Sequence, residues 1–246
     1  MYRSYLIRAG ASLALLASTA ALPVAASADE GAAMRHYRVT LQNLTTGQPF
    51  SPPVAATHRP RLHMFQVGHL ATDQLAAVAQ DGNEAPMVTL LNSSRDVTQT
   101  VDVGRPLTPR GRTVGSFTDT ATFDIAAHAG DQFSLATMLI CTNDGFLGLD
   151  AVQLPSHGMR TFDLVGWDAG RENNTEMSEH IVDPCSALGP VPLSGDPNGN
   201  RDAEVATVPP GPIHLHPGIA GSGDLSPAMH GWSNPVARVR IARLDD

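Results

Sequence analysis

The sequence predicts an all-β protein, an antiparallel two-sheet β-sandwich with one or two short helices. Apolar and polar residues alternate in several short runs, which is the pattern of half-buried strands. The runs are separated by turns drawn from 22 glycines and 19 prolines. Only one segment has clear helical spacing. Many short strands with little helix are typical of a sandwich.

The strand predictions rest on alternation with a period of two. Tyr37, Val39 and Leu41 alternate with polar residues, so one face of this run is expected to be buried. The tetrapeptide at 128–131 contains Gly130 and predicts a hairpin turn between two such runs. The further predicted strands are 120–126, 132–141, 146–154, 160–167, 211–216 and 236–244.

One short helix is predicted, through Gln80. Thr72 or Asp73 can cap its start, and Gly82 can end it in a left-handed conformation. We expect this helix to close one end of the sandwich. Its apolar face consists of Leu75, Val78 and Ala79.

The first 28 residues have the pattern of an export signal. Arg3 and Arg8 precede an apolar run at 9–21, and Ala26 and Ala28 form a small-residue cleavage site. An N-terminal membrane anchor is the alternative. No later apolar run is long enough to span a bilayer. We therefore expect a secreted or periplasmic protein in which residues 29–246 form one domain.

The charge balance disfavours nucleic acid as a partner. The formal net charge is −8, and loss of Arg3 and Arg8 with the signal would make it −10. A strongly acidic chain repels a phosphate backbone.

The two cysteines of the chain are Cys141 and Cys185. An even number of cysteines in an exported protein favours a disulfide. Two buried thiols are the alternative. A bridge would brace two acidic loops, at 142–146 and 167–174. Cys141 immediately precedes the first of these loops, and Cys185 follows the second.

These acidic loops, 142–146 and 167–174, each follow a strand-like run. If the loops meet in space, Asp144, Asp168 and Glu172 converge. Calcium takes six to eight oxygen ligands in a tolerant geometry, and such loops supply carboxylates and carbonyls. The alternative is that the three acids are ordinary solvated loop residues.

Several segments resemble the spondin N-terminal domain family in a bacterial, single-domain form. The resemblance implies a β-sandwich similar to C2 domains, with calcium bound by loops at one end. It places the ligands on Asp144, Asp168 and Glu172, although the animal domains have aspartate in place of Glu172. Cys141 stands where proline is expected. In animals the family belongs to extracellular-matrix and cell-adhesion proteins. The matching segments are 37–45, 50–52, 138–140, 142–146, 168–173 and 216–219.

Histidines offer a competing metal site. His214 and His216 alternate on a predicted strand, so both rings point to one face. A third ligand from His58, His63 or His69 would complete a copper or zinc site. The sequence contains no Gly-x-Ser-x-Gly or His-Glu-x-x-His motif that would indicate a hydrolase.

The sequence thus predicts an exported calcium-binding module that acts in binding, adhesion or matrix association and has no catalytic role. The alternative is a secreted copper or zinc protein that uses His214 and His216. A polysaccharide, an anionic surface and another protein are all open as the envelope or extracellular partner.

Overall fold

The computed structural model describes residues 34–182, 185 and 205–244. The predicted export signal, residues 1–28, lies outside the described residues. Within these described ranges, two antiparallel sheets form an open sandwich, accompanied by three short α-helices and a 3-10 turn at Ser178–His180. The predicted all-β sandwich is therefore confirmed.

The four-stranded sheet has the order β6-β1-β12-β9, and the six-stranded sheet has the order β11-β10-β8-β7-β2-β3. A separate two-stranded ribbon pairs β4 with β5. The strands are β1 Arg35–Asn43, β2 Val54–His58, β3 Val97–Asp102, β4 Thr113–Val114, β5 Phe117–Thr118, β6 Thr120–Ala127, β7 Gln132–Met138, β8 Gly145–Gln153, β9 Met159–Leu164, β10 Trp167–Asp168, β11 His214–Leu215 and β12 Ala237–Arg243. The helices are α1 Asp73–Asp81, α2 Ala85–Ser93 and α3 Pro227–His230.

The main core lies between the two sheets. Val39 and Leu41 of β1 are fully buried there, as the alternation in the sequence predicts. They pack with Leu135 of β7 and Val239 of β12 in one apolar cluster. This core holds in register the strands whose ends carry the acidic loops.

Helix α1 begins where predicted and ends at Asp81, one residue beyond the predicted end, but it does not have the predicted position. The Thr72 hydroxyl accepts a hydrogen bond from Leu75 N at 3.2 Å, and Gly82 ends the helix at φ 63°. Its apolar face packs with α2 against the outer face of the six-stranded sheet and does not close an end of the sandwich. The spacing of a helix predicts which of its faces is buried, but not which surface covers that face.

The turn at 128–131 forms as predicted, with Gly130 at φ 87°, but it does not make a hairpin. Strand β6 belongs to the four-stranded sheet and β7 to the six-stranded sheet, so the turn carries the chain across the sandwich. Turn residues show only that the chain reverses its direction. A hairpin within one sheet and a connection between two sheets need the same turn residues, so the sequence does not distinguish them.

Strand β2 lacks a predictive pattern because both of its faces are covered. Val54 and Ala56 pack under the helices, whereas Ala55 faces the other sheet. A strand that is buried on both faces does not alternate.

No helix among the described residues is long and apolar enough to cross a membrane.

A disulfide-bonded end of the sandwich with two buried aspartates

The two acidic loops meet at the end of the six-stranded sheet where β7 leads into β8. Asp144 immediately precedes β8, and Asp168 ends β10. Because β10 pairs with β8, Asp168 lies opposite Gly145 in the register. Ala169 N also donates to Asp144 O at 3.1 Å. The predicted convergence of Asp144 and Asp168 is therefore present in the structure.

A tight turn before β8 sets the position of Asp144. The Thr142 hydroxyl accepts from Gly145 N at 2.8 Å and donates to Leu139 O at 2.6 Å. A Cβ on Gly145 would lie 2.5 Å from that hydroxyl oxygen, so a larger residue cannot enter without breaking the turn. Glycine at position 145 is thus required locally by the packing of Thr142.

The second loop bends at Gly170, which has φ +67°. A Cβ there would lie 2.5 Å from Gly211 O, so this loop and the chain before β11 approach each other at backbone distance. Asp168 Oδ1 accepts from Gly170 N at 2.7 Å and stabilises the bend. The bend directs the next two backbone N–H groups toward Asp144.

The carboxylate of Asp144 is fully buried and only half satisfied. Its Oδ2 accepts from Arg171 N at 2.6 Å and from Glu172 N at 2.9 Å. Its Oδ1 is buried and has no hydrogen-bond partner. Burial, and then the charge of Asp168, raise the pKa of Asp144 to about 6, against the effect of the two N–H donors. A buried carboxylate oxygen without a donor is suited to a cation.

The carboxylate of Asp168 lies beside an amide and an imidazole. Oδ2 accepts from Asn174 Nδ2 at 2.7 Å, and His214 Nε2 lies 3.8 Å from the same oxygen. The side chain of Asp168 is only 2% exposed. Two buried aspartates therefore share this site, and the charge of Asp168 disfavours ionisation of Asp144 in the absence of a cation.

Glu172, the third predicted ligand, is buried, but its carboxylate contacts a different segment. Glu172 Oε1 accepts from Val205 N at 3.2 Å, while its backbone N–H binds Asp144. Within the described ranges, no three His, Cys, Asp or Glu side chains form a metal-holding cluster. A cation beside Asp144 and Asp168 would therefore need neutral oxygens as further ligands, which calcium accepts from carbonyls, amides and water.

The histidines of the competing prediction lie at the same place. His214 is opposite Asp168 in the register between β10 and β11. His216 Nδ1 accepts from Gly218 N at 3.0 Å, and its buried Nε2 has no partner. Burial lowers the pKa of His216 to about 4, with Asp168 opposing the shift and His214 adding to it. From the sequence, the aspartate site and the histidine site are predicted as two different places. The sequence does not show that β11 joins the sheet beside β10.

Two of the three upstream histidines, His58 and His63, have partners away from the acidic loops, whereas His69 lies beside the chain before β11, where its backbone C=O accepts from Ile213 N at 2.8 Å. His58 Nε2 lies 2.7 Å from the Ser134 hydroxyl, and His63 Nδ1 lies 2.6 Å from Asp150 Oδ2. Both contacts involve strands β7 and β8 well within the sheet rather than the acidic loops.

Glu176 is a buried acid to which sequence analysis assigned no role. Burial acts to raise the pKa of the Glu176 carboxyl. Hydrogen bonds from backbone N–H groups outweigh this effect and hold that pKa below its ordinary value. The carboxylate thereby fixes the segment after β11 against the second acidic loop. Glu176 has φ 57°, and its donors are the backbone N–H groups of Ala220, Gly221 and Ser222, at 2.5–2.7 Å.

The predicted disulfide between Cys141 and Cys185 is present, with Cα atoms 5.0 Å apart. Its sulfurs lie in a small apolar cluster with Met138, Ile140 and Ile181. The bridge ties the loop before Asp144 to the chain that follows the Asp168 loop, as the sequence predicts.

The fold and the site define an antiparallel sandwich whose disulfide-bonded loop end carries two buried aspartates. The sequence profile of the spondin N-terminal (Spondin_N) family matches residues 35–185, and the chain belongs to this family. The family consists of extracellular, matrix-associated domains. A search among curated proteins found no match.

Proposed function

We propose that this protein is an exported module that binds one calcium ion at the Asp144–Asp168 site and acts by binding, without catalysis, in an extracellular or envelope matrix. The buried Oδ1 of Asp144, which has no hydrogen-bond partner, is the observation that carries the proposal. A divalent cation would remove the repulsion between the two carboxylates and tie the two loops together. Glu172, the third predicted ligand, would add its carboxylate to the site only by releasing the backbone N–H of Val205; otherwise neutral oxygens complete the coordination.

Calcium is the preferred ion because of the ligands that the site offers. Asp144 and Asp168 are hard oxygen donors, and the loops around them are rich in carbonyl and amide oxygens. Magnesium is less suited because it demands a near-ideal octahedron and keeps its waters. When bound, calcium would supply structural order, and the chain's own loops would form the contact surface.

Thermal unfolding tests the proposal. The protein is melted in excess chelator, in calcium, and in zinc or copper. At a calcium concentration one hundred times the dissociation constant, stability should increase by about 2.7 kcal/mol. Asp144→Asn and Asp168→Asn should each abolish this gain, whereas Asp102→Asn, an exposed control, should retain it. An equal calcium response in Asp168→Asn and the wild type would show that the ligand assignment is wrong.

A copper or zinc site is the second candidate function. His214 Nε2 lies 3.8 Å from Asp168, and the buried His216 Nε2 has no partner. Imidazole nitrogens favour zinc or copper over calcium. A stabilisation by zinc or copper that is lost in His214→Gln, with no calcium response, would favour this candidate over the first.

A further inference from the structure

A polar groove opens at the end of the sandwich opposite the two aspartates. Two adjoining cavities, of about 400 and about 200 Å³, share Pro60, His128, Gly130 and Asp131 as walls. We call this feature the arginine groove. Its polar side chains are those of Arg35, Arg59, His128, Asp131, Gln132 and Gln153.

The topology separates the groove from the calcium candidate. Strand β7 begins at Gln132, in the groove, and ends at Met138, shortly before the Asp144 loop. Seven residues of strand span about 20 Å. The groove lies where β2 and β8 end and where the 128–131 turn crosses between the sheets. A ligand here would not contact the two aspartates.

Arg35 and Arg59 give the groove two cations outside any salt bridge of the described residues, although the charge of Arg59 assists the hydrogen bond from Arg61 in lowering the pKa of the neighbouring Asp96. Neither forms a salt bridge with any residue in the described part of the chain. The nearby Asp96 is engaged by Arg61, whose Nε donates to it at 2.7 Å. An unpaired guanidinium presents a planar fork of donors that matches a carboxylate.

The groove also contains acceptors that a bare anion would not satisfy. Gln132 Oε1 is buried and has no hydrogen-bond partner. The buried carboxylate of Asp131 accepts from the Thr98 hydroxyl at 2.5 Å and from His128 N at 2.8 Å, and it would repel a dense polyanion. Acceptors of this kind can take hydrogen bonds from the hydroxyl groups of a sugar.

We propose that the arginine groove binds a uronic acid residue of an acidic polysaccharide. The guanidinium groups of Arg35 and Arg59 hold the sugar carboxylate. Gln132 Oε1 and Asp131 accept from its hydroxyls. Because the chain is acidic overall, with a formal net charge of −8, a polyanion is attracted only where cations are concentrated.

Calorimetric titration with an oligogalacturonate of defined length tests this proposal, in chelator, so that calcium bridges play no part. The wild-type protein should bind the oligogalacturonate and should not bind a neutral malto-oligosaccharide of equal length. Arg35→Gln and Arg59→Gln should each weaken binding about tenfold, the loss expected for one charge-assisted hydrogen bond. Arg105→Gln, which removes an exposed cation elsewhere, should bind like the wild type.

Absence of binding by the wild type, equal loss in Arg105→Gln, or tighter binding of a sulfated heparin oligosaccharide would each overturn the proposal. Gln132→Met tests the hydroxyl acceptor separately and should weaken binding without a change in net charge. Asp144→Asn should bind the oligogalacturonate normally, so failure of the calcium proposal would leave this result unaffected.

Discussion

The raised pKa of Asp144 predicts an unusual dependence of stability on pH in the metal-free protein. Its carboxyl has an ordinary pKa of 3.8 in the unfolded chain and a pKa of about 6 in the fold. Between these values the folded state binds the proton more tightly, so stability decreases as the pH rises from about 4 through 6. Each unit of difference between the two pKa values corresponds to about 1.4 kcal/mol, so the free energy of unfolding is lower by about 3 kcal/mol above pH 7 than at acid pH.

Asp144→Asn removes this titration. In chelator, the difference in unfolding free energy between variant and wild type should shift by about 2 kcal/mol in favour of the variant between pH 4.5 and 7.5. The packing cost of the substitution is the same at both pH values, so it cancels from this comparison. Urea unfolding followed by circular dichroism gives the two free energies at each pH.

Asp102→Asn is the matched control, because Asp102 is exposed and ends the edge strand β3, with β2 and β7 between it and β8. The difference in unfolding free energy between Asp102→Asn and the wild type should change little with pH. If the stability curves of Asp144→Asn and the wild type ran parallel from pH 4.5 to 7.5, the assignment of a buried, half-satisfied carboxylate would be refuted. With calcium present, the wild type should gain stability at pH 7.5 and little at pH 4.5, because protons compete for the ligand.

Three further predictions concern the scaffold of the site. Gly145→Ala should cost about 1–3 kcal/mol and weaken calcium binding, because the added Cβ displaces the Thr142 hydroxyl, 2.5 Å away; unfolding at an unchanged urea midpoint would contradict this. Reduction of the bridge between Cys141 and Cys185 should lower the free energy of unfolding by up to about 4 kcal/mol, since it opens a loop with a sequence separation of 44. Thermal unfolding with and without reductant measures this loss. Glu176→Gln should lower stability at pH 7 by about 1–3 kcal/mol but have less effect at acid pH, where the wild-type carboxyl is protonated; a pH-independent loss in melting temperature would exclude the charged hydrogen bonds as its cause.

The parts of the fold that the sequence predicts well are those with one buried face. Strand β1 shows its alternation because its partners are a core on one side and solvent on the other. Strand β2 is buried on both faces and carries no such signal. Helix α1 was predictable to within a residue from Thr72 and Gly82, but its position against the six-stranded sheet depends on Val54 and Ala56 of β2.

At the candidate site, the sequence predicts the approach of Asp144 and Asp168 because both end strand-like runs. It does not predict that β11 pairs with β10, since a strand of two residues has no periodicity. The sequence therefore assigns His214 to a separate site, whereas the structure places it opposite Asp168. The direction of the Glu172 side chain was equally hidden, because its contact with Val205 depends on a segment 33 residues away.

The scaffold holds the two aspartates together by contacts that do not involve a cation. The disulfide fixes the loop before Asp144, the bend at Gly170 fixes the loop after Asp168, and Glu176 anchors the neighbouring segment. The metal-free protein therefore can neither expose the Asp144 carboxylate nor move it away from Asp168, and burial first and the charge of Asp168 second raise the pKa of Asp144. Such preorganisation lowers the ordering cost of cation binding. On this reasoning, opening the disulfide should reduce calcium affinity and bring the pKa of Asp144 back toward 3.8.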